Sequence, residues 1–479
     1  MTKVLLLNPP ARERVCRDDY CGHVAKGDYY WPQIDLLALS GVLHQAGCEL
    51  SLLDAVVDGL TAEAAEQRIG ELRPEVIVSL AAAISWTEDM AFLAAVRART
   101  GARILVSGDF PRSNPAEVLA QHDCVDAVIL DYADCDIASF LNGADSGGRR
   151  NIATRSDPRP AAPAGARRFA YPTPRHELYD LRKYHSPHVL RRPFTVIVTD
   201  FGCPYRCDYC YFERIGHKKR DLSSLRAELE YIRSLGIRDF IVQDFSFGAV
   251  KAHALQVCEV IRSVSPDFSW VCELRADSAE EELLGAMQAA GCHMVMIGVE
   301  SPNEEVMARH GKPQSVRQVE DAFLLARRLG LRTLAHFVIG LSGENPASIE
   351  RLIRFSIALD PDIASFNIAR PAWNTSFRDE VQANGWLLDD RVEIAASHNQ
   401  PIWESPDLSG EQMARLCDEA VRRFYGRPSY ILRQLRRVRS PYQLSILIRE
   451  GRHLLKQAVR GRWMRRAAPP AGLAQPTPP

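Results

Sequence analysis

Residues 200–214, DFGCPYRCDYCYFER, place Cys203, Cys207 and Cys210 within eight positions of a 479-residue chain that has twelve cysteines in all. Thiolates are soft ligands that suit zinc, copper and iron–sulfur clusters. A closed zinc site takes four ligands, and the only close candidate for the fourth is His217. Three thiolates can instead hold three irons of a four-iron cluster and leave the fourth iron open to a small molecule. The motif therefore indicates a metal cofactor with a free coordination position, with a structural zinc site as the alternative.

The cysteine motif follows the first of six apolar runs that alternate with helical patterns. The predicted strands are FTVIVTD (194–200), DFIVQD (239–244), SWVCEL (269–274), HMVMIGVES (293–301), RTLAHFVIG (332–340) and IASFNIARP (363–371). Stretches such as SSLRAELEYIRSLG between them have helical periodicity. Six such units predict a partial TIM-type (β/α)6 barrel over 193–375, with its chemistry where the strands end.

Five further apolar runs before this barrel predict a separate α/β domain over 1–145. They are KVLLLNPP (3–10), ELSLLDA (49–55), EVIVSLAAA (75–83), ARILVSG (102–108) and DAVILD (126–131). Continuous apolar runs of this kind are typical of buried parallel strands, and the helices between them predict a doubly wound, flavodoxin- or Rossmann-like sheet. The Gly, Pro, Ser and Arg content that follows predicts a linker over 146–192.

The region after the barrel, 376–466, is predicted to be helical. From Arg422 to Arg466 the basic residues far outnumber the single acid, Glu450, and apolar residues recur at helical spacing. Such helices either lie on an anionic membrane surface or pack on the barrel with a solvated arginine face. The tail 467–479 has the composition of a disordered segment.

Composition narrows the class of protein. The hydrophobic content of 46% and charged content of 25% are those of a soluble globular protein. The net charge of -1 argues against a nucleic-acid partner for the molecule as a whole. Dilute cysteines fit a reducing compartment, and the N-terminal apolar run is too short for a signal peptide. A cytoplasmic protein is expected, with peripheral membrane contact through the C-terminal helices as the alternative.

The C-x3-C-x2-C motif after a barrel strand resembles that of the radical SAM superfamily. Four later segments resemble the successive strand ends of that family: CELRAD (272–277), AGCHMVMIGVES (290–301), FVIGLSGEN (337–345) and FNIARPAWNT (366–375). The resemblance implies that the three cysteines hold a [4Fe-4S] cluster whose open iron binds S-adenosylmethionine. It also implies an electron donor such as flavodoxin or ferredoxin, and cleavage of S-adenosylmethionine to a 5′-deoxyadenosyl radical.

The same resemblance implies roles for seven other residues. Tyr209 and Gly340 would lie near the adenine; Asp244, Glu273 and Arg275 near the methionine or the substrate; Glu300 and Ser301 near the ribose. From the residues alone, each of the four charged side chains could instead belong to a buried ion pair, and Gly340 could merely end a strand. The last strand end departs from the family's Pro-x-Pro-Gly-Thr pattern, which brings Trp373 into consideration as a substrate contact.

An α/β domain before such a barrel is similar to the cobalamin-binding subgroup, which includes C-methylases and an anaerobic oxidative cyclase. The resemblance implies corrin contacts at Ser107 and Gly108. The chain departs from the glycine-rich motifs of that subgroup, since Asp109 follows Gly108 and Tyr132 stands where glycines usually follow the fifth strand. Cys16 and Cys21, in the long loop after the first strand, are candidates for a second metal site or for a solvated loop.

The expected function is a radical SAM enzyme that carries out cobalamin-dependent C-methylation of an unactivated carbon in a small-molecule or lipid substrate. One alternative is a non-methylating radical cyclisation, rearrangement or oxidation with a vestigial cobalamin domain. The other is a zinc-stabilised binding protein without enzymatic activity. The sequence does not identify the substrate.

Overall fold

The computed structural model describes residues 1–17, 22–24, 29–143, 151–159, 168–212, 215–389 and 401–464. None of the helices in these ranges is both long and apolar enough to cross a membrane. The described chain forms a doubly wound α/β domain, a half-barrel and a set of C-terminal helices, which is the predicted fold class.

The N-terminal domain is a six-stranded sheet. Its strands are β1 (Lys3–Asn8), β4 (Glu49–Asp54), β5 (Val76–Leu80), β6 (Arg103–Ser107), β7 (Ala127–Ile129) and β8 (Ile152–Thr154), and the two-residue strands β2 (Val15–Cys16) and β3 (His23–Val24) form a hairpin in the loop after β1. The order is β4-β1-β5-β6-β7-β8, and all strands except β8 are parallel. The chain therefore reverses its winding direction at β1, the position at which open α/β sheets bind ligands.

Helices cover both faces of this sheet. They are α1 (Ile34–Gln45), α2 (Ala62–Leu72), α3 (Trp86–Thr100), α4 (Asp109–Ser113), α5 (Pro115–Gln121) and α6 (Asp136–Leu141). Side chains alternate across the strand: Leu6 joins the apolar cluster that contains α1, whereas Leu5 and Leu7 join the cluster that contains α2 and α3. All three leucines are fully buried. Burial on both faces explains why the strands are apolar throughout rather than alternating.

The segment predicted to be a linker is built into both domains. Its residues Ile152–Thr154 form β8 at the edge of the first sheet, and β9 (Arg168–Phe169) pairs with the barrel's small sheet. Further along, the Tyr184 hydroxyl donates to Asp54 Oδ2 at 2.8 Å. The segment therefore fastens the two domains together.

The second domain contains the six predicted barrel strands, in chain order and parallel. They are β10 (Phe194–Ile197), β13 (Asp239–Phe247), β14 (Ser269–Arg275), β15 (Cys292–Glu300), β16 (Arg332–Ile339) and β17 (Ile363–Ile368). The helices are α7 (Leu222–Ser234), α8 (Lys251–Val264), α9 (Glu281–Ala289), α10 (Glu304–Arg309), α11 (Val316–Arg328) and α12 (Pro346–Leu359). The first strand is shorter than predicted, because β11 (Asp200–Gly202) turns away to pair antiparallel with β12 (His217–Arg220).

Four helices complete the described chain: α13 (Ser376–Ala383), α14 (Gly410–Tyr425), α15 (Pro428–Arg437) and α16 (Pro441–Met464). The α14 helix begins with a capping box, in which the Ser409 hydroxyl accepts from the Gln412 backbone and the Gln412 side chain bonds back to Ser409. Met413, Cys417 and Phe424 on one side of it are fully buried against the barrel. This helix closes the open flank of the half-barrel.

A buried polar network joins β12, α7 and the connecting segment. Arg220, Glu228 and His176 are all fully buried, and the Arg220 guanidinium forms an ion pair with Glu228 while His176 Nε2 lies 2.9 Å from Glu228 Oε1. Although burial would raise the pKa of Glu228, Arg220 and His176 hold it below its ordinary value. These contacts take the place of the hydrogen bonds to water that the three side chains lose on burial, and each side chain would be costly to bury without a partner.

We expect Arg220→Met to lower the free energy of unfolding by about 3 to 5 kcal/mol, because it leaves the Glu228 carboxylate buried without its cation. The matched control is Arg226→Met, on the exposed side of α7, which should change stability by less than about 0.5 kcal/mol. Urea denaturation followed by circular dichroism compares the two variants. Equal loss in both would contradict a structural role for the ion pair.

Candidate functional site

The cysteine loop is the connection of the β11–β12 hairpin. The Cys203 backbone N–H donates to Gly216 O at 2.8 Å. Gly202 has φ +75°, and a Cβ there would lie 2.0 Å from Gly216 O. Only glycine therefore lets the hairpin close at the base of the loop.

The three cysteines of this loop are free and partly buried. Burial raises the pKa of Cys210 to about 12, and the neighbouring Cys207 and Cys203 raise it further. The pKa values of Cys203 and Cys207 are also raised, again chiefly by burial, while Arg275 and Lys312 oppose the rise. The three sulfurs thus share one desolvated region that two cations border.

A positive side chain lies directly against this region. Arg275 Nη1, at the end of β14, is 3.7 Å from Cys207 Sγ. Two contacts fix the guanidinium: Asp277 accepts from Arg275 Nη2 at 2.7 Å, and the Tyr205 ring lies 3.9 Å below the guanidinium carbon. A fixed cation beside three thiols favours their ionised, metal-binding form.

The turn after α10 supports the cysteine loop from the barrel side. His310 Nδ1 lies 2.8 Å from Asp208 Oδ1, and His310 Nε2 lies 3.0 Å from Ser342 O. Burial lowers the pKa of His310, but the hydrogen bond to Asp208 raises it above its ordinary value overall. Gly311, at φ +70°, would place a Cβ 2.4 Å from Arg206 O. Close backbone contact therefore supports the loop from the barrel side.

A cavity of about 280 Å³ opens beside the cysteine loop at the carboxyl ends of the strands. Its lining is Phe245, Glu273, Leu274, Arg275, Gly298, Glu300, Lys312, His336 and Asn367. Three of the predicted residues, Glu273, Arg275 and Glu300, therefore come together here. Both acidic and basic side chains line the cavity.

An ion pair and a histidine–carboxylate contact organise the cavity walls. Lys312 Nζ donates to Glu300 Oε1 at 2.6 Å and to Gly298 O at 2.8 Å. His336 Nε2 lies 3.2 Å from Glu273 Oε1. Glu300 has φ +59°, a backbone conformation that costs a non-glycine residue about 1 to 3 kcal/mol and that concentrates at functional sites. These groups can bind a ligand that carries both a carboxylate and an ammonium group.

Two other predicted residues serve the framework around the cavity. Asp244 is fully buried and accepts from the backbone N–H groups of Thr199 and Asp200, at 2.7 and 2.9 Å. Burial raises the pKa of Asp244 to about 8, and the nearby Asp200 adds to the rise. Tyr209 packs between the cysteines and the barrel, with its ring centroid 6.2 Å from that of His310. Asp244 orders the start of the hairpin, and Tyr209 borders the thiols.

Ser301 and Gly340 are joined through Glu344. The Ser301 hydroxyl donates to Glu344 Oε1 at 2.7 Å, and the Gly340 N–H donates to Glu344 Oε2 at 2.9 Å. Gly340 has φ +90°, and a Cβ there would lie 2.7 Å from Met413 Sδ of α14. This fully buried carboxylate holds the loop after β16 against the end of β15.

The carboxyl edge of the N-terminal sheet faces the barrel's carboxyl edge. The Tyr211 hydroxyl, next to Cys210, donates to Asp109 O at 2.8 Å. The rings of Phe110 and Trp373 meet at a centroid distance of 5.4 Å. Trp373 therefore packs on the N-terminal domain.

Ser107 and Gly108, the two predicted corrin contacts, lie at this edge of the N-terminal sheet. Gly108 has φ +139°, and a Cβ there would lie 2.0 Å from Ala81 O, so glycine is needed for the close approach to the backbone after β5. Ser107 is buried, and its hydroxyl donates to Asp35 Oδ2 at 3.1 Å. Tyr132 is buried edge-on against Phe201 at 5.2 Å, as its size suggested. Both predicted corrin contacts are thus engaged by neighbouring parts of the N-terminal domain itself.

The other candidates for metal ligation have different surroundings in the structure. His217 Nε2 lies 3.4 Å from Asp200 Oδ2, Cys16 is buried, and Cys21 lies outside the described residues. Within the described ranges, no three His, Cys, Asp or Glu side chains are grouped to hold a single metal ion.

Sequence reasoning missed three polar residues of the cavity. Asn367 alternates with the buried Phe366 and Ile368 of β17, so its inward position was available from the pattern. His336 similarly interrupts the apolar run of β16. Lys312 lies in a turn after α10, and no local pattern indicates that it reaches Glu300.

Comparisons with known proteins agree with this geometry. Residues 197–356 match the radical SAM superfamily, and residues 20–138 match the B12 binding domain family. An uncharacterized methyltransferase of Pyrococcus horikoshii is 25% identical to this chain, with 90% of this chain and 94% of the relative covered. The anaerobic magnesium-protoporphyrin IX monomethyl ester cyclase of Synechocystis is 23% identical, with coverages of 84% and 83%.

Among solved structures, the radical S-adenosylmethionine methyltransferase TsrM from Kitasatospora setae, with cobalamin and a [4Fe-4S] cluster bound, has a TM-score of 0.66. The match covers 98% of this chain and 100% of TsrM at 18% identity, so it shows a shared fold. The resemblance drawn from the cysteine motif and the strand ends is thereby confirmed for both domains.

We expect the Glu344 carboxyl to make stability depend on pH, because burial raises its pKa to about 7 in the folded protein. Its pKa in the unfolded chain is about 4.3, so the native state binds the proton more tightly. The contribution of this group to stability is therefore greatest below about pH 4.3 and is lost as the pH rises toward 7, by roughly 3 kcal/mol. Glu344→Gln removes this dependence. Chemical denaturation of both proteins between pH 4.5 and 8 measures the difference, and parallel pH curves would contradict the assignment.

Proposed function

We propose that this radical SAM enzyme, whose N-terminal domain is of the B12-binding kind, methylates an unactivated carbon of a small-molecule substrate. The observation that carries the proposal is the group of three free thiols, Cys203, Cys207 and Cys210, bordered by Arg275 and opening on a charged cavity. The extent of the similarity to a relative named a methyltransferase supports methyl transfer over the alternatives.

The three cysteines are proposed to hold the [4Fe-4S] cluster. When bound, the cluster supplies the electron that cleaves S-adenosylmethionine, and cobalamin supplies a carrier for the methyl group. The chain's own residues supply the setting: the β11–β12 hairpin presents the thiols, Asp208 and His310 fix the loop, and Arg275 offsets the negative charge of the thiolates.

The charged cavity is proposed to bind S-adenosylmethionine. Lys312 and Arg275 would meet the carboxylate of its methionine part, while Glu300 and Glu273 would accept from the ammonium group or the ribose hydroxyls. The contacts of Lys312 with Glu300 and of His336 with Glu273 keep these side chains oriented before the ligand binds. Ser301, Gly340 and Asp244 would act indirectly by holding the surrounding loops, and Tyr209 would border the adenine.

The substrate is proposed to enter between the two facing carboxyl edges. The corrin is proposed to lie near Ser107 and Gly108, as the resemblance implies, beside the contact of Phe110 with Trp373. An external one-electron donor such as flavodoxin or ferredoxin would reduce the cluster. The competing proposal is a non-methylating oxidation or cyclisation, which the cyclase relative favours.

We expect a Cys203→Ala, Cys207→Ala, Cys210→Ala variant to lose its iron and sulfide after anaerobic purification, while the wild type retains about four irons per chain. Cys135→Ala, which removes an exposed thiol elsewhere, should keep the full iron content. Metal analysis and ultraviolet–visible spectra read out the result. Zinc in place of iron in the wild type would support the zinc-stabilised binding protein and overturn the radical mechanism.

The type of reaction is tested by the products formed from S-adenosylmethionine. We expect the reduced enzyme, supplied with cobalamin and a substrate, to release both 5′-deoxyadenosine and S-adenosylhomocysteine, since radical formation and methyl transfer each consume one molecule. Liquid chromatography with mass detection quantifies both. Formation of 5′-deoxyadenosine without S-adenosylhomocysteine would instead establish the non-methylating alternative.

A further inference from the structure

Helix α15 packs on the barrel through its polar face. Arg433 and Arg437 form ion pairs with Asp360 and Asp362, in the turn that precedes β17. The Tyr430 hydroxyl donates to Asp362 O at 3.0 Å, and Gln434 Nε2 donates to the same oxygen at 2.8 Å. Residues 430, 433, 434 and 437 lie on one side of an α-helix. The charged side of α15 is thus the side that faces the protein.

The opposite side of α15 is apolar and faces outward. Ile431, Leu432 and Leu435 are 50%, 48% and 52% exposed, and no residue of the helix is buried. A surface helix of a globular protein normally orients the other way, with its apolar stripe on the core. The ion pairs with Asp360 and Asp362 prevent α15 from turning its leucines inward.

Helix α16 also carries exposed apolar residues. Leu444 and Ile448, one turn apart, are 43% and 46% exposed. These two residues and the three of α15 are five of the nine large apolar side chains that are exposed in the described chain. Such concentration marks an interaction surface rather than scattered surface residues.

The same surface is positively charged. Arg436, Arg439, Arg449 and Arg452 are exposed on these two helices. No aspartate or glutamate occurs between Glu419 and Glu450. A second copy of the chain would bring the same arginines face to face, which is unfavourable. Anionic lipid headgroups complement them.

We propose that Ile431, Leu432, Leu435, Leu444 and Ile448 insert into the interfacial region of a membrane that contains anionic lipids, with the arginines at headgroup level. Helices with this combination of an apolar face and basic residues bind in the plane of the interface. The inference does not depend on the chemistry at the cysteine loop.

The proposal fixes the orientation of the enzyme. The α15 contacts lie just before β17 begins, and Tyr442 of α16 contacts Ser186, shortly before β10. Both helices therefore lie at the amino ends of the barrel strands, whereas the cavity lies at the carboxyl ends. Eight residues of β16 span roughly 26 Å between these ends. On the membrane, the cavity opens away from the lipid, which favours a substrate taken from the aqueous phase.

The test is flotation of the full-length protein with vesicles of phosphatidylcholine alone or with 30 mol% phosphatidylglycerol added. We expect binding to the anionic vesicles only, with a loss of at least tenfold in an Ile431→Gln, Leu432→Gln, Leu435→Gln variant. Arg436→Gln and Arg439→Gln should each weaken binding about fivefold, because each arginine contributes about 1 kcal/mol. Leu235→Gln with Leu324→Gln, two exposed leucines of the barrel helices, is the matched control.

Because the changed residues are exposed, circular dichroism and iron content should stay those of the wild type in every variant. The proposal is overturned if the protein does not bind anionic vesicles, or if the apolar variant and the control bind equally. Sedimentation velocity tests whether a second copy of the chain occupies this surface instead. A dimer that the apolar variant abolishes, in a protein that does not bind vesicles, would assign the surface to a second copy.

Discussion

The structure depends on two sheets of mainly parallel strands, which are held with the carboxyl ends of their strands facing each other. The Lys218–Asp131 ion pair, the contact of Tyr132 with Phe201 and the contact of Phe110 with Trp373 all cross between the domains. Ligands of parallel α/β sheets bind at this end, so the docking brings two binding edges into one shared space. A B12-binding domain and a radical SAM domain need this arrangement, because their reactive centres must reach the same substrate.

The site balances burial against charge. The thiols of the cysteine loop are desolvated, which favours their neutral form, and Arg275 and Lys312 supply the positive charge that favours the ionised form. Metal binding by thiols requires loss of protons. Burial thus opposes ionisation of the thiols, and the two cations partly offset this effect. The strained backbone at Glu300 belongs to the same design, since it aims a carboxylate at Lys312.

The sequence predicted whatever depends on regular patterns. All eleven predicted strands are present, because continuous apolar runs bounded by turns leave few other solutions. The cysteine spacing predicted a cluster of three thiols after the first barrel strand, and the structure places all three in one loop there. The sequence did not predict which individual side chains contact each other: Arg275 lies beside Cys207, and Ser301 donates to Glu344. The orientation of α15 was also beyond reach, because periodicity defines the two faces of a helix and not which one the barrel's aspartates select.

One hydrogen bond ties the metal-binding loop to the neighbouring domain. Tyr211 follows Cys210 directly, and its hydroxyl holds the backbone of Asp109. Whatever shifts Asp109 is therefore transmitted to the residue next to a thiol, and ordering the loop around a metal in turn steadies the edge of the other sheet. Coupling through this bond would be reciprocal, so that each cofactor changes the affinity for the other by the same factor. Each cofactor site thereby influences the other.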